Sequence, residues 1–76
     1  MIDFAKKMSE AELLDVIKAM DNCAKPLARR FEGDDTAIVE LMVRLNLPQD
    51  IASKALITTE VLRECVHRGI QMPRGN

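Results

Sequence analysis

Apolar residues recur at intervals of three and four along most of this chain, and nowhere do they alternate with polar residues over a sustained stretch. Such spacing places side chains on one face of a helix, whereas a strand has a period of two. Hydrophobic residues make up 47% of the 76 residues but aromatic residues only 3%, so the core must be largely aliphatic, which suits helices packed on helices. We therefore expect an all-α fold, a single domain over 1–76 with frayed ends at 1–7 and 73–76.

The first helix is predicted to begin at a capping box. In the run 9–12, the Ser9 hydroxyl can accept from the Glu12 amide while the Glu12 carboxylate accepts from the Ser9 amide. Met8 before the box and Leu13 after it are spaced for a hydrophobic staple. The apolar stripe that follows consists of Leu13, Leu14, Val16, Ile17 and Met20, and it ends at 21–22.

Two further helices are predicted in the middle of the chain. Pro26 suits the first turn of a short second helix that Gly33 ends. Residues 34–36 are Asp, Asp and Thr, which offer side-chain acceptors to the start of a third helix. Only Glu40 and Arg44, placed to pair four residues apart, mark a polar edge on it. Because its other residues are mostly apolar (Ile38, Val39, Leu41, Met42, Val43 and Leu45), we expect this helix to be the central, most buried one.

The C-terminal part is predicted to hold two more helices. Pro48 opens the fourth, with Asp50 in its first turn, and Thr58 or Thr59 caps the fifth, which ends at Arg68. The inward residues of these helices are expected to be Ile51, Ala52, Ala55, Val61, Leu62, Cys65 and Val66. Gly69 can take the left-handed conformation after the last helix, with Ile70 folding back onto Cys65. The predicted architecture is a compact orthogonal bundle of about five short helices.

No residue pattern indicates catalysis, a metal or a cofactor. His67 is the only histidine, and on a helix Cys65 diverges from it, so the two are not placed as nucleophile and base. With Cys23 there are three Cys and His residues, none at the close spacing of a zinc site, and no phosphate-binding glycine motif occurs. We therefore expect two cysteines that pack in the core and a protein that is not an enzyme.

The segment 50–68 resembles the helix-turn-helix motif of bacterial DNA-binding regulators. Ala52 fits the small position at which the two helices approach, and Ala55, Ile57, Leu62 and Cys65 fit the inward apolar positions. The resemblance implies a turn through 56–58 and a recognition helix over Thr59–Arg68. Leu56 departs from the pattern, because glycine usually holds that turn position and a branched residue disfavours the left-handed conformation. The connection would then be longer or differently angled.

This resemblance also implies which side chains meet a macromolecule. Arg63 would contact a guanine edge, and Thr58 or Thr59, together with Arg68, would contact phosphates. Glu60 and Glu64 would oppose a negatively charged groove. The complete set of candidate binding residues is Thr58, Thr59, Glu60, Arg63, Glu64, His67 and Arg68.

Two functions are compatible with these features. An acidic pI of about 5.7, five methionines and an apolar third helix favour a small regulator or inhibitor that docks on a larger protein, such as the transcription machinery. The alternative is a transcription regulator that reads duplex DNA with 50–68. A purely structural oligomer subunit would need a long heptad seam, which the sequence lacks. With no signal peptide and no stretch of roughly 20 apolar residues, we expect a cytoplasmic protein without a membrane or small-molecule partner.

Overall fold

The computed structural model describes residues 3–20 and 25–71 of the chain. In this part there are three α-helices, α1 (Glu10–Ala19), α2 (Thr36–Arg44) and α3 (Ile51–Arg68), and two short 3-10 helices at Phe4–Lys7 and Leu27–Arg29. No strand occurs among the described residues, so the all-α prediction is confirmed. The predicted count of about five helices is wrong, since the second helix is only a 3-10 turn after Pro26 and the fourth and fifth are one helix.

The capping box forms as the sequence predicts. The Ser9 amide donates to the Glu12 carboxylate at 2.9 Å, and the Glu12 amide donates to the Ser9 hydroxyl at 3.1 Å. The hydrogen bond from the Ser9 amide lowers the pKa of the Glu12 carboxyl, because it stabilises the charged form. From this cap, α1 buries Leu13, Val16 and Ile17 and ends at Ala19. The predicted stop at 21–22 lies outside the described residues.

Replacing the cap tests whether this local signal stabilises the fold. Ser9→Ala should lower the free energy of unfolding by about 1 kcal/mol, because the Glu12 amide loses its acceptor, whereas Ser9→Asp keeps an acceptor and should melt close to wild type. The folded pKa of Glu12 lies below its usual 4.5, so its contribution is present above that value and is lost as the pH falls through the folded pKa. Urea unfolding at neutral and acid pH measures both effects, and coincident curves for Ser9→Ala and wild type would contradict them.

Residues 51–68 form a single helix, which corrects the predicted turn at 56–58. The Asp50 carboxylate caps its start by accepting from the Ser53 amide at 2.8 Å. The Thr58 hydroxyl donates to the carbonyls of Lys54 and Ala55 in the preceding turn, so it continues this helix rather than capping a new one. Leu56, a good helix former, occupies the position where the motif has glycine. The described structure therefore contains no helix-turn-helix at this segment.

Both α2 and α3 end in the same way. Gly69 has a φ of 70°, its amide donates to the Val66 carbonyl at 3.1 Å, and the Ile70 amide donates to the Cys65 carbonyl at 3.0 Å. This is a Schellman motif, and it confirms the predicted left-handed Gly69. After α2, Asn46 has a φ of 57° and the next amide donates to the Met42 carbonyl at 2.8 Å. Asparagine tolerates the left-handed region better than most residues, so it replaces glycine here.

Aliphatic side chains from every helix meet in one core, and α3 lies at its centre rather than α2. The longest helix packs against α1, α2 and the Phe4–Lys7 turn. Its Ile57, Val61 and Cys65 are fully buried, whereas Val43 of α2 is 63% exposed and Leu45 is half-buried. The other core members are Ala5, Met8, Leu13, Val16, Ile17, Phe31, Ile38, Leu41 and Met42. The expectation that α2 is the central helix is therefore wrong, although α2 buries three of its nine residues and α3 five of its eighteen.

Polar contacts also differ from those expected at α2. Glu40 and Arg44 form no ion pair with each other. The Asp34 carboxylate accepts from the Thr36 hydroxyl at 2.6 Å and from its amide at 3.2 Å, and these bonds lower the pKa of Asp34. Asp35 does not cap the helix with its side chain, since its carboxylate pairs with Lys54 of α3 at 2.7 Å. A link between two helices thus takes the place of a local cap.

The burial difference along α2 gives a direct test of the core. Leu41→Ala should lower the free energy of unfolding by about 2–5 kcal/mol, because it leaves a cavity at a side chain that is 4% exposed. Val43→Ala on the same helix should change it by less than about 0.5 kcal/mol. Thermal and urea unfolding of the two variants check this ordering, and equal losses would refute the assignment of α2's buried face.

Candidate macromolecule-binding surface

One side of α3 is occupied by the rest of the fold, and Arg68 is part of that attachment. Its guanidinium donates through Nη2 to the carbonyls of Ala5 and Lys6, each at 3.0 Å, and through Nε to the Glu64 carboxylate at 2.6 Å. The sequence predicts that 1–7 frays, whereas the structure places Phe4–Lys7 in a 3-10 turn with Ala5 buried. These hydrogen bonds and the burial of Ala5 attach the turn to the rest of the fold.

The seven residues predicted to contact a macromolecule therefore divide into two groups. Thr58 is 4% exposed with its hydroxyl bonded inside the helix, and Glu64 and Arg68 are paired with each other. These three lie apart from the other four, and the phosphate contacts predicted for Thr58 or Thr59 and for Arg68 stay predictions. The side chains that remain on the outside are Thr59, Arg63 and His67, with Glu60 half-buried beside them.

The exposed residues of α3 line up along its whole length. At about 100° per residue they occupy the side opposite the buried Ile57, Val61 and Cys65. Two of them are large and apolar, namely Leu56, which is 40% exposed, and Val66, which is 71% exposed. We define the outer face of α3 as Ala52, Ala55, Leu56, Thr59, Glu60, Leu62, Arg63, Val66 and His67, of which Ala55, Glu60 and Leu62 are half-buried.

Sequence reasoning missed the apolar part of this face. Ala52 and Val66 are predicted to point inward but are exposed, and Leu56 is assigned to a turn. The signal that reveals the face is the three-and-four spacing of small and apolar residues from 52 to 66. That spacing is visible only when the segment is a single helix, because a turn at 56–58 would rotate the two halves relative to each other.

The electrostatics of the outer face are nearly neutral. Lys54 is held by Asp35 at 2.7 Å and lies 5.6 Å from the centre of the Phe31 ring, away from this face. Glu64 and Arg68 are paired at 2.6 Å. Glu60, Arg63 and His67 are thus the charged or titratable side chains that α3 presents on its outer side. One acid and one base leave the outer face without a net positive charge, so its charge does not favour a polyanion or an anionic membrane surface.

Elsewhere on the described surface there are two open clefts, and neither brings side chains together in an arrangement typical of a catalytic or metal-binding site. One of about 470 Å³ lies between α1 and α2 and is lined by Asp15, Lys18, Ala19, Gly33, Asp34, Thr36, Ala37 and Glu40. Another, of about 360 Å³, is lined by Asp3, Phe4, Lys7, Arg44 and Leu45. In the described residues no three His, Cys, Asp or Glu side chains come together as metal ligands.

Burial raises the pKa of the Cys65 thiol, and this thiol faces the core while His67 is exposed.

Comparison with known proteins adds no further constraint on the site. The chain matches no protein-family model, no curated protein and no solved structure. None of the helices in the described part has the length and apolar character needed to cross a membrane.

Loss of the Arg68 contacts should release the N-terminal turn. Arg68→Ala removes two charge-assisted hydrogen bonds to Ala5 and Lys6, worth about 1–2 kcal/mol of local stability after allowance for partial exposure. Brief trypsin digestion should then cleave after Lys6 and Lys7 about tenfold faster, since cleavage follows the open population. Arg63→Ala, which removes an exposed arginine from the same helix, is the control and should not change this rate. Equal rates in all three proteins would show that Arg68 does not hold the turn.

Proposed function

We propose that this chain is a small regulatory protein, without catalytic activity of its own, that acts by binding a larger protein through the outer face of α3. The observation that carries the proposal is the exposure of two large apolar side chains on the outer face of α3, the longest helix. Val66 and Leu56 lie on it 71% and 40% exposed, although the same helix supplies the fully buried centre of the core. Single exposed apolar residues are common, but two large ones on the face that a helix turns away from its own core favour a helix that docks on a partner.

The composition of this face supports a protein partner over nucleic acid. Alanine and threonine between the larger apolar residues allow a partner surface to approach closely, while Arg63 at the edge is a residue type enriched in protein interfaces. DNA binding would draw on several cations to displace counterions, and only Arg63 is positioned for it on α3. Glu60 beside it would oppose the phosphates. The absent turn also removes the structural basis for a helix-turn-helix docking geometry.

Val66→Lys, with Val43→Lys as its matched control, separates these functions. Both valines are strongly exposed and lie in the last turn or so of their helices, so neither change should unfold the protein. The tagged proteins capture partners from a lysate in the presence and absence of nuclease. If α3 docks on a protein, Val66→Lys should lose at least about tenfold of the captured protein, because a charge is placed in an apolar contact. Val43→Lys should retain it.

Titration with duplex DNA at low and moderate salt completes the experiment. A lysine at position 66 adds a cation, so it should strengthen DNA binding if DNA is the partner, and Arg63→Ala should weaken that binding by about 1–3 kcal/mol. If nuclease abolishes the capture, and DNA binding is strengthened by Val66→Lys and weakened by Arg63→Ala, the partner is DNA rather than a protein. Capture that is lost equally in Val66→Lys and Val43→Lys, or in neither, would show that the outer face of α3 is not the docking surface.

A further inference from the structure

The N-terminal turn, Phe4–Lys7, is joined to the three α-helices by very few hydrogen bonds. Two backbone hydrogen bonds, each of 3.2 Å, connect residues of the segment 3–8 to one another and go no further. Among the described residues, the hydrogen bonds that cross from this segment to a helix are the two that Arg68 donates to the Ala5 and Lys6 carbonyls. A single side chain of α3 therefore provides the hydrogen-bonded attachment of the turn.

The first helix can persist without the turn. Both hydrogen bonds of the capping box that begins α1 lie between Ser9 and Glu12, after the turn has ended. Between the two elements the backbone of Met8 is extended, so the turn does not continue into α1. Movement of the turn about Met8 thus breaks its own contacts and no hydrogen bond of α1.

The apolar contacts of the turn are also few. Ala5 is 5% exposed and Phe4 is half-buried, whereas Lys6 and Lys7 are exposed. Ordering the backbone of four residues costs more free energy than one methyl group and one half-buried ring recover, so the Arg68 hydrogen bonds matter to the closed form. A segment with this balance belongs to the least stable part of a protein, which opens while the rest stays folded.

The turn lies over the end of α3 that contains Cys65. Arg68 and Cys65 are three residues apart, so they lie about 60° from each other around the helix, on the same side. That side faces the turn, because Arg68 reaches the turn's carbonyls, and Ala5 and Cys65 belong to the same apolar cluster. The Cys65 side chain is 0% exposed. Departure of the turn therefore uncovers Cys65.

We infer that the N-terminal turn is a lid that opens as a unit while α1, α2 and α3 stay folded, that the Arg68 guanidinium holds it closed, and that its opening uncovers Cys65. Glu64 positions this guanidinium by accepting from its Nε at 2.6 Å. The closed and open forms present different surfaces, since only the open form exposes the apolar side of α3 at its C-terminal end. This property belongs to the isolated chain and does not depend on the proposed function.

The rate at which a chromogenic aromatic disulfide modifies Cys65 tests the lid. The Cys65 thiolate attacks one sulfur of the reagent, a mixed disulfide forms, and one coloured arylthiolate leaves. All proteins carry Cys23→Ser, so that Cys65 is the one thiol in the chain. The modification rate divided by the rate for the same chain in concentrated urea gives the opening constant of Cys65. Urea unfolding of each protein gives its global unfolding constant.

The Cys23→Ser chain should open far more readily than it unfolds. Without urea, the opening constant of Cys65 should exceed the global unfolding constant at least about tenfold. It should also change little at low urea concentration, because opening of the lid exposes little surface. Arg68→Ala should raise the opening constant about tenfold, since two charge-assisted hydrogen bonds of the closed form are lost.

Two controls separate the lid from general instability. Arg63→Ala removes an exposed arginine from the same helix and should leave the opening constant within about twofold. Ile38→Val alters a fully buried residue of α2, so it should raise the global unfolding constant about 2- to 12-fold and leave the opening constant unchanged. Far-UV circular dichroism verifies that each variant is folded.

Three results overturn the inference. The first is an opening constant for the Cys23→Ser chain that equals its global unfolding constant and has the same urea dependence, a comparison that decides the matter even if Arg68→Ala does not fold. The second is a folded Arg68→Ala that reacts no faster than Arg63→Ala. The third is an opening constant that rises in Ile38→Val by the same factor as the global unfolding constant.

Discussion

The continuity of α3 is the constraint on which the rest of the structure depends. Asp50 fixes where the helix begins, and the left-handed Gly69 fixes where it ends. The Thr58 hydroxyl donates to the carbonyl of Lys54 in the preceding turn, at the position where the sequence predicts a turn between two helices. Between these ends the helix contributes Ile57, Val61 and Cys65 to the core and contacts α1, α2 and the N-terminal 3-10 turn. A domain this small buries only about 60% of its unfolded surface, so its core is small and one long helix supplies much of it.

Two polar attachments determine which side of α3 remains open. Near its start, Lys54 reaches the Asp35 carboxylate at the beginning of α2 and lies over the Phe31 ring. At its end, Arg68 reaches the carbonyls of Ala5 and Lys6. Both side chains extend from the buried side of the helix, so they fix the preceding segments there and keep their charges off the opposite side. The near neutrality of the outer face follows from this arrangement.

Local signals in the sequence predicted local structure well. The Ser9–Glu12 box and the left-handed Gly69 each depend on residues within one turn of the chain, and both are present. Thr58 was ambiguous because a threonine caps a new helix and continues an existing one with equally ordinary hydrogen bonds. A cap at this position divides α3 into two helices, so the sequence does not reveal the outer face of α3 as one continuous surface. The Arg68 contacts to Ala5 join residues 63 positions apart, which no local pattern encodes.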